Sequence, residues 1–327
     1  MKYFLTGATG FIGGRVARQL AGAGHQVMAA VRDPERATDL ASLGVVLHQG
    51  DVTDKDSMRA PMTGVDGVFH IAGWYKIGVR KKSDAVRVNV DGTHNVLELM
   101  KELGVPKGVY TSTLAVFSDT RGQLVDETYH HSGAHLTEYD RTKWLAHELA
   151  ETMILGGLPL VIVMPGVVYG PGDTSNVRTT LLQYLHRTLP LVPEGTAFCW
   201  GHVDDIARGH ILAMEKGRPG ETYIIAGPKH TLSEALKLAE QITSIPLPRL
   251  RASPSVLKVM AVVMSVVEKF TLLPEAYTSE GLRIAAGVTY LGDNARARRE
   301  LGYNPRPLED GLRETLKHEM KLLGWKT

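Results

Sequence analysis

Near its start the chain reads Leu5-Thr6-Gly7-Ala8-Thr9-Gly10-Phe11-Ile12-Gly13, joining the apolar run Tyr3-Phe4-Leu5 to an amphipathic segment from Gly14 to Ala23. A strand, a glycine turn and a helix start in that order restrict the fold more than any other stretch, because together they build a phosphate site. Gly7 permits the tight turn, Gly10 lets the backbone approach a pyrophosphate with no Cβ in the way, and Gly13 lets the helix pack closely on the strand. The helix start adds unpaired N–H groups and the positive end of a dipole. The spacing is Gly-x-x-Gly-x-x-Gly rather than the Gly-x-Gly-x-x-Gly of many dehydrogenases, and its position between strand and helix gives it weight.

The rhythm that follows predicts a doubly wound parallel sheet of the Rossmann type. Strands are expected over His25–Val31, Val45–His48, Val65–Ile71, Gly108–Thr113 and Leu158–Met164. Long helices are expected from about Ser83 to Leu103 and Thr137 to Leu155, with a shorter one opened by Asp33 as N-cap and Pro34 in the first turn. Residues 1–165 thus read as a dinucleotide-binding domain. Beyond Pro165 the stretch Gly166–Asp173 is turn-rich, and helical segments follow with brief strand candidates such as Glu221–Ala226. Residues 166–327 are expected to form mainly a smaller, mostly helical substrate cap, with some segments returning to the Rossmann domain.

A formal charge of +2 with scattered basic residues leaves no footprint for nucleic acid. The lone Cys199 reads as a small core residue in a reducing compartment, and the absence of a leader pattern at the N-terminus points to the cytoplasm. Ser255–Val267 is the most apolar run, yet it is too short to span a bilayer and contains Lys258, so no integral membrane segment is expected. A helix packed within the cap is the expectation for it; a membrane-surface or lipophilic-substrate wall is the alternative.

Tyr139 and Lys143 stand one helical turn apart on one face. A nearby cation favours a phenolate, which lets a tyrosine exchange a proton with an alcohol or carbonyl oxygen. The hydroxyl-rich strand end Thr111-Ser112-Thr113 precedes this helix. His130, His131 and His135 lack acidic or cysteine companions in a metal pattern and read as loop residues at the substrate mouth, so no metal is expected; Asp204-Asp205 reads as an ordering pair.

In order along the chain stand Thr6–Gly13, Gly50-Asp51-Val52, His70-Ile71-Ala72-Gly73, Asn89–Thr93, Thr111–Thr113, Tyr139–Lys143, Pro165–Asp173 and His202–Asp205. This ordered set resembles the extended short-chain dehydrogenases/reductases, the NAD-dependent epimerase/dehydratase family, over nearly the whole chain. The resemblance implies that Tyr139 is the acid/base, that Lys143 holds the nicotinamide ribose and lowers the tyrosine pKa, and that Thr113, where serine is commoner, orients the substrate oxygen. It implies cofactor contacts from Gly7, Thr9, Gly10, Phe11 and Ile12, from Asp51 and Val52 at the adenine, from Ile71, Ala72 and Gly73, and from Pro165 and Val168. Asn89 would anchor a helix to neighbouring loops, and a homodimer through the helices from about Ser83 and Thr137 is implied too.

NAD-selective relatives end strand two on an acidic residue; here Val31 holds that place and Arg32 follows, with Arg36 a turn later. Guanidinium groups can pair with a 2′-phosphate, so NADP(H) is the expected cofactor and NAD(H) the alternative. Val31-Arg32-Asp33-Pro34 resembles the dihydroflavonol-reductase-like branch, which implies reduction of a ketone or aldehyde on a bulky small molecule, or the reverse oxidation. Leu114 and Ala115 replace the acidic pair of dehydratases, and Met164 replaces an arginine usual before Pro165. A sugar-nucleotide epimerase and a non-catalytic dinucleotide sensor are the alternatives.

Overall fold

A computed structural model describes residues 1–78, 82–271 and 273–325. Six parallel strands form first: β1 (Lys2–Thr6), β2 (Gln26–Val31), β3 (Val46–Gln49), β4 (Gly67–His70), β5 (Gly108–Thr111) and β6 (Leu160–Pro165). All four residues of β4 and all six of β6 are buried, as expected where helices cover both faces of a sheet. Between the strands run α1 (Phe11–Gly22), α2 (Thr38–Ala41), α3 (Lys55–Met62), α4 (Ser83–Val86), α5 (Gly92–Glu102) and α6 (Glu138–Leu155).

The later chain adds β7 (Val167–Tyr169), α7 (Asn176–Leu185), β8 (Val192–Pro193), β9 (Ala197–His202), α8 (Val203–Lys216) and β10 (Thr222–Ile225). It ends with β11 (Lys229–Thr231), α9 (Leu232–Thr243), β12 (Arg251–Ala252), α10 (Pro254–Val267), α11 (Ser279–Ala285), β13 (Thr289–Tyr290), α12 (Ala295–Leu301) and α13 (Leu308–Leu322). The main sheet has seven strands in the order β10-β6-β5-β4-β1-β2-β3. Its edge strand β10 therefore comes from far along the chain and pairs in parallel with β6. The residues of α3, α5 and α6 fill one face, with Met58, Leu97 and Ala146 in the core. On the other face lie α1, α8 and α12, with Val16, Ile206 and Ala297. A smaller sheet (β11-β9-β13, with β7 on β9) and helices α7, α9 and α13 enclose a separate cluster around Tyr184, Leu236 and Leu312.

Three expectations are corrected. Asp33 starts no helix with its side chain: Pro34–Arg36 is a single 3₁₀ turn that closes through the Ala37 N–H on the Pro34 carbonyl, and Pro34 has no N–H to offer the carboxylate. The segment from Ser83 to Leu103 is not one regular helix, because a π turn over Arg87–Asp91 separates α4 from α5. Finally, α10 is not packed within the cap: only Leu257 and Ala261 are buried and Met264 is half-buried beside them, while Val256, Val259, Met260, Val262, Val263 and Val266 are exposed.

Candidate functional site

The glycine turn has the shape a pyrophosphate requires. Gly7 has φ +75°, and a Cβ there would lie 2.6 Å from the Ala72 nitrogen. A Cβ on Gly13 would lie 2.1 Å from the Gly7 carbonyl, so the helix can start this close to the turn only with glycine. Gly10 donates its N–H to that carbonyl at 2.9 Å and precedes α1, whose first turn has no side-chain cap and no acidic residue. First-turn N–H groups are thus left for an anion. Thr9 and Gly10 are exposed, and Phe11 and Ile12 half-buried, along this opening.

The neighbouring strand ends extend the cradle. Thr6 Oγ1 accepts from the Ile71 and Ala72 N–H groups, tying the turn to the end of β4, and Gly73 beside them is exposed. Asp51 uses Oδ1 to accept from the backbone and hydroxyl of Thr53, both at 2.8 Å. Its second oxygen accepts no hydrogen bond from a described residue and is left for a ligand. Val52 is buried against Gly92, where a Cβ would approach to 2.7 Å. Pro165 closes β6 in the core, and Val168 is half-buried in β7. Arg32 and Arg36 are exposed and form no ion pair with a described residue; Asp33 is exposed and equally unengaged. These groups fit a dinucleotide: a glycine cradle, an adenine-side carboxylate and two free guanidinium groups.

At the other end, Thr113, Tyr139 and Lys143 come together. Strand β5 ends at Thr111, two residues earlier than expected, and Thr113 caps the next 3₁₀ turn by accepting the Ala115 N–H at 3.2 Å. Tyr139 lies in the first turn of α6, fixed because Thr137 Oγ1 accepts the Asp140 N–H at 3.0 Å. The Asp140 carboxylate accepts the hydroxyls of Thr137 (2.7 Å) and Tyr290 (2.9 Å), and burial raises it to about 6. Burial pushes the Tyr139 phenol up to about 12, against the opposing pull of the facing Thr113 hydroxyl.

Burial is the largest cause at Tyr139, and Lys143 is held at the end of β5. Its Nζ donates to the Thr111 carbonyl at 2.7 Å and the Tyr110 hydroxyl at 3.2 Å, and it lies 4.8 Å from the centre of the Tyr110 ring. Burial lowers its own pKa to about 7, so the cation that was to stabilise a phenolate is itself costly to charge.

The sequence reading missed what stands behind this lysine. Tyr110 stacks on His70 with ring centres 5.5 Å apart. Thr93 gives its proton to the Asn89 carbonyl at 2.6 Å and so accepts from His70 Nε2 at 3.0 Å, which leaves His70 Nδ1 to accept from Thr6 at 2.8 Å. Burial holds His70 neutral, with its pKa near 3. The only signal in the sequence was polar residues at the ends of apolar strands. Asn89 performs the anchoring implied for it: Oδ1 accepts the Trp74 N–H at 2.7 Å, and Nδ2 donates to the Trp74 carbonyl and Thr142 Oγ1, both at 3.0 Å. Ser112, beside Thr113, is engaged with His147 Nδ1 at 2.8 Å instead.

His131, His135 and Trp144 form a ring stack with spacings of 5.1 and 5.2 Å. Asp205 binds Arg306 through both oxygens at 2.9 Å, and Asp204 pairs with Arg15 at 3.4 Å, so the acidic pair fastens α8 to its neighbours. Cys199 is buried and free.

The NAD dependent epimerase/dehydratase family matches residues 3–226, more than half of the chain. The chain belongs to this family. A putative dihydroflavonol 4-reductase of Synechocystis is 30% identical, covering 96% of this chain and 93% of that protein. The 4-hydroxy-2-methyl-3-oxo-4-farnesyl-3,4-dihydroquinoline-1-oxide ketoreductase of Stigmatella aurantiaca is 28% identical over 93% and 92%. Among solved structures, gox2253 superposes with a TM-score of 0.86 at 30% identity over 99% of both chains. This family member is an NAD(P)-dependent oxidoreductase of the extended short-chain dehydrogenase/reductase type, with a Rossmann-like sheet of seven parallel strands.

Proposed function

We propose that the protein reduces a ketone or aldehyde on a bulky, largely apolar small molecule, with NADP(H) as its preferred cofactor. The observation that carries the reading is the protonated Tyr139 phenol facing the Thr113 hydroxyl beside Lys143. The phenol keeps its proton at neutral pH and so can serve as the general acid of a reduction. The bound nicotinamide would supply hydride to the carbonyl carbon. Thr113 orients the carbonyl oxygen, Tyr139 gives it the phenolic proton, and Lys143 holds the ribose hydroxyls. The chain from 166 to 327 contributes most of the substrate wall, and the farnesylated and flavonoid names among the relatives favour an apolar, ring-bearing substrate.

Support for NADP(H) comes from the free, exposed guanidinium groups of Arg32 and Arg36. Asp33, with no capping bond, competes for the same ribose edge. Kinetics with both cofactors on a panel of lipophilic ketones test the reading. NADPH is expected to be favoured, and Arg32→Ala to weaken NADPH selectively while leaving NADH nearly unchanged. A tenfold better kcat/KM with NADH would reverse the cofactor assignment. A sugar-nucleotide epimerase would interconvert its substrate without net NADPH consumption. It is disfavoured because Met164, in the usual arginine position, is fully buried and offers no cation to a diphosphate. The single, buried Cys199 supports a cytoplasmic setting, and a homodimer through α5 and α6 completes the proposal.

A further inference from the structure

We propose that α10 docks the protein on the surface of an anionic lipid bilayer. The helix packs inward through Leu257 and Ala261 on Leu282 and Ala286 in and just after α11. At 100° per residue the opposite face carries Val259, Val262, Val263 and Val266, which are 65, 69, 55 and 53% exposed, and Phe270, in the turn just beyond the helix end, is 84% exposed. A contiguous apolar patch of this kind on a protein surface marks an interaction site.

The charges around the patch identify the occupant. Arg249, Arg251, Lys258 and Lys269 are all exposed, and none forms an ion pair with a described residue. The one acidic residue between 249 and 270, Glu268, turns inward and accepts from the Ser279 N–H at 2.8 Å and its hydroxyl at 2.7 Å. Within 249–270 the exposed charge is therefore cationic. Helical spacing sets Lys258 along one edge of that face and Lys269 follows in the turn beyond its end; the methylene stems of such residues can lie on apolar side chains while the ammonium groups reach headgroups. Anionic lipid neutralises this rim, whereas a second copy of the chain would bring a second cationic rim to it.

The geometry is that of a helix lying in the interface. Fourteen residues give about 21 Å of helix, short of the roughly 30 Å hydrocarbon core, and no described helix is long and apolar enough to cross a membrane. The docked pair also touches the stretch that follows the site residues Ile71–Gly73. Glu280 of α11 accepts the Gly78 N–H at 2.9 Å, and Thr278 abuts Gly78, at the end of the loop that follows Ile71–Gly73. Docking would hold the site's entrance beside the bilayer. The inference stands on α10 alone and needs no particular substrate.

The test is flotation of the full chain with vesicles of 1:1 phosphatidylcholine and phosphatidylglycerol, with phosphatidylcholine vesicles alongside. Binding is expected to the anionic vesicles, to fall at least tenfold on neutral ones and to weaken in high salt. The double variants Val263→Ser/Phe270→Ser and Lys258→Glu/Lys269→Glu should each lose at least tenfold in binding. Both should keep the wild-type melting temperature and NADPH turnover, since all four positions are exposed. Failure to float with anionic vesicles overturns the proposal, as does flotation that both double variants retain. So does a wild-type dimer that Val263→Ser/Phe270→Ser splits into monomers while no vesicles are bound, for the face would then belong to a second copy.

Discussion

At the scale of single residues, the proposed chemistry depends on which groups carry protons. Tyr139→Phe removes the acid but keeps the ring, so turnover should fall by about 10²–10⁴ with cofactor affinity retained, as steady-state kinetics and fluorescence titration of NADPH will show. Burial makes Lys143 give up its proton at lower pH than an exposed lysine. With its folded pKa lowered to about 7, the unfolded chain binds more protons between roughly pH 7 and 10.5. Stability should therefore rise with pH across that window, and the cost of the buried charge is fully present below it. Lys143→Met should melt higher than wild type at pH 7, lose this pH dependence and lose turnover; thermal denaturation across pH checks it. The pairing of Tyr139 with Lys143 was legible because one helix fixes the spacing of both. The partners that hold the lysine, Tyr110 and Thr111, come from β5, more than thirty positions away, and no local pattern could bring them forward.

Among the elements, the break between α4 and α5 decides how the active-site helix is held. The π turn over Arg87–Asp91 brings Asn89 to Trp74 and Thr142 together, so one side chain joins the loop after β4 to α6. Asn89→Ala would leave buried donors and acceptors unmatched and should cost about 2–3 kcal/mol in denaturant unfolding, with kcat reduced because α6 is no longer tied to that loop. The periodicity of the apolar residues revealed a helix here but not its π turn, because one extra residue in a turn scarcely disturbs a window of twenty. Asp33-Pro34 misled for a different reason. Its residue types suit a helix start, yet Pro34–Arg36 closes as a 3₁₀ turn and α2 begins only at Thr38. The glycine trio was legible because the positive φ of Gly7 and the close approach of Gly10 and Gly13 to the Gly7 carbonyl all arise within one short turn.

For the molecule as a whole, the parallel sheet read well from sequence because buried strands are continuous apolar runs with helices between them. The outward face of α10 did not, because an apolar helix in a core and one that faces out have the same composition; only the packing of α11 tells which side is covered. The sheet also imposes an order on synthesis. Strand β10 closes the sheet beside β6 from residues 222–225, so a chain emerging from the ribosome exposes a bare, fully apolar β6 edge until about two thirds of it has been made. Such an edge is a template for pairing with another chain. A fragment ending at Pro165 should accordingly aggregate, while one ending at 226 should remain largely soluble, as size-exclusion chromatography of the two would reveal. In the cell, that interval of translation is when this protein would most need a chaperone, and the hazard ends when β10 takes its place on β6.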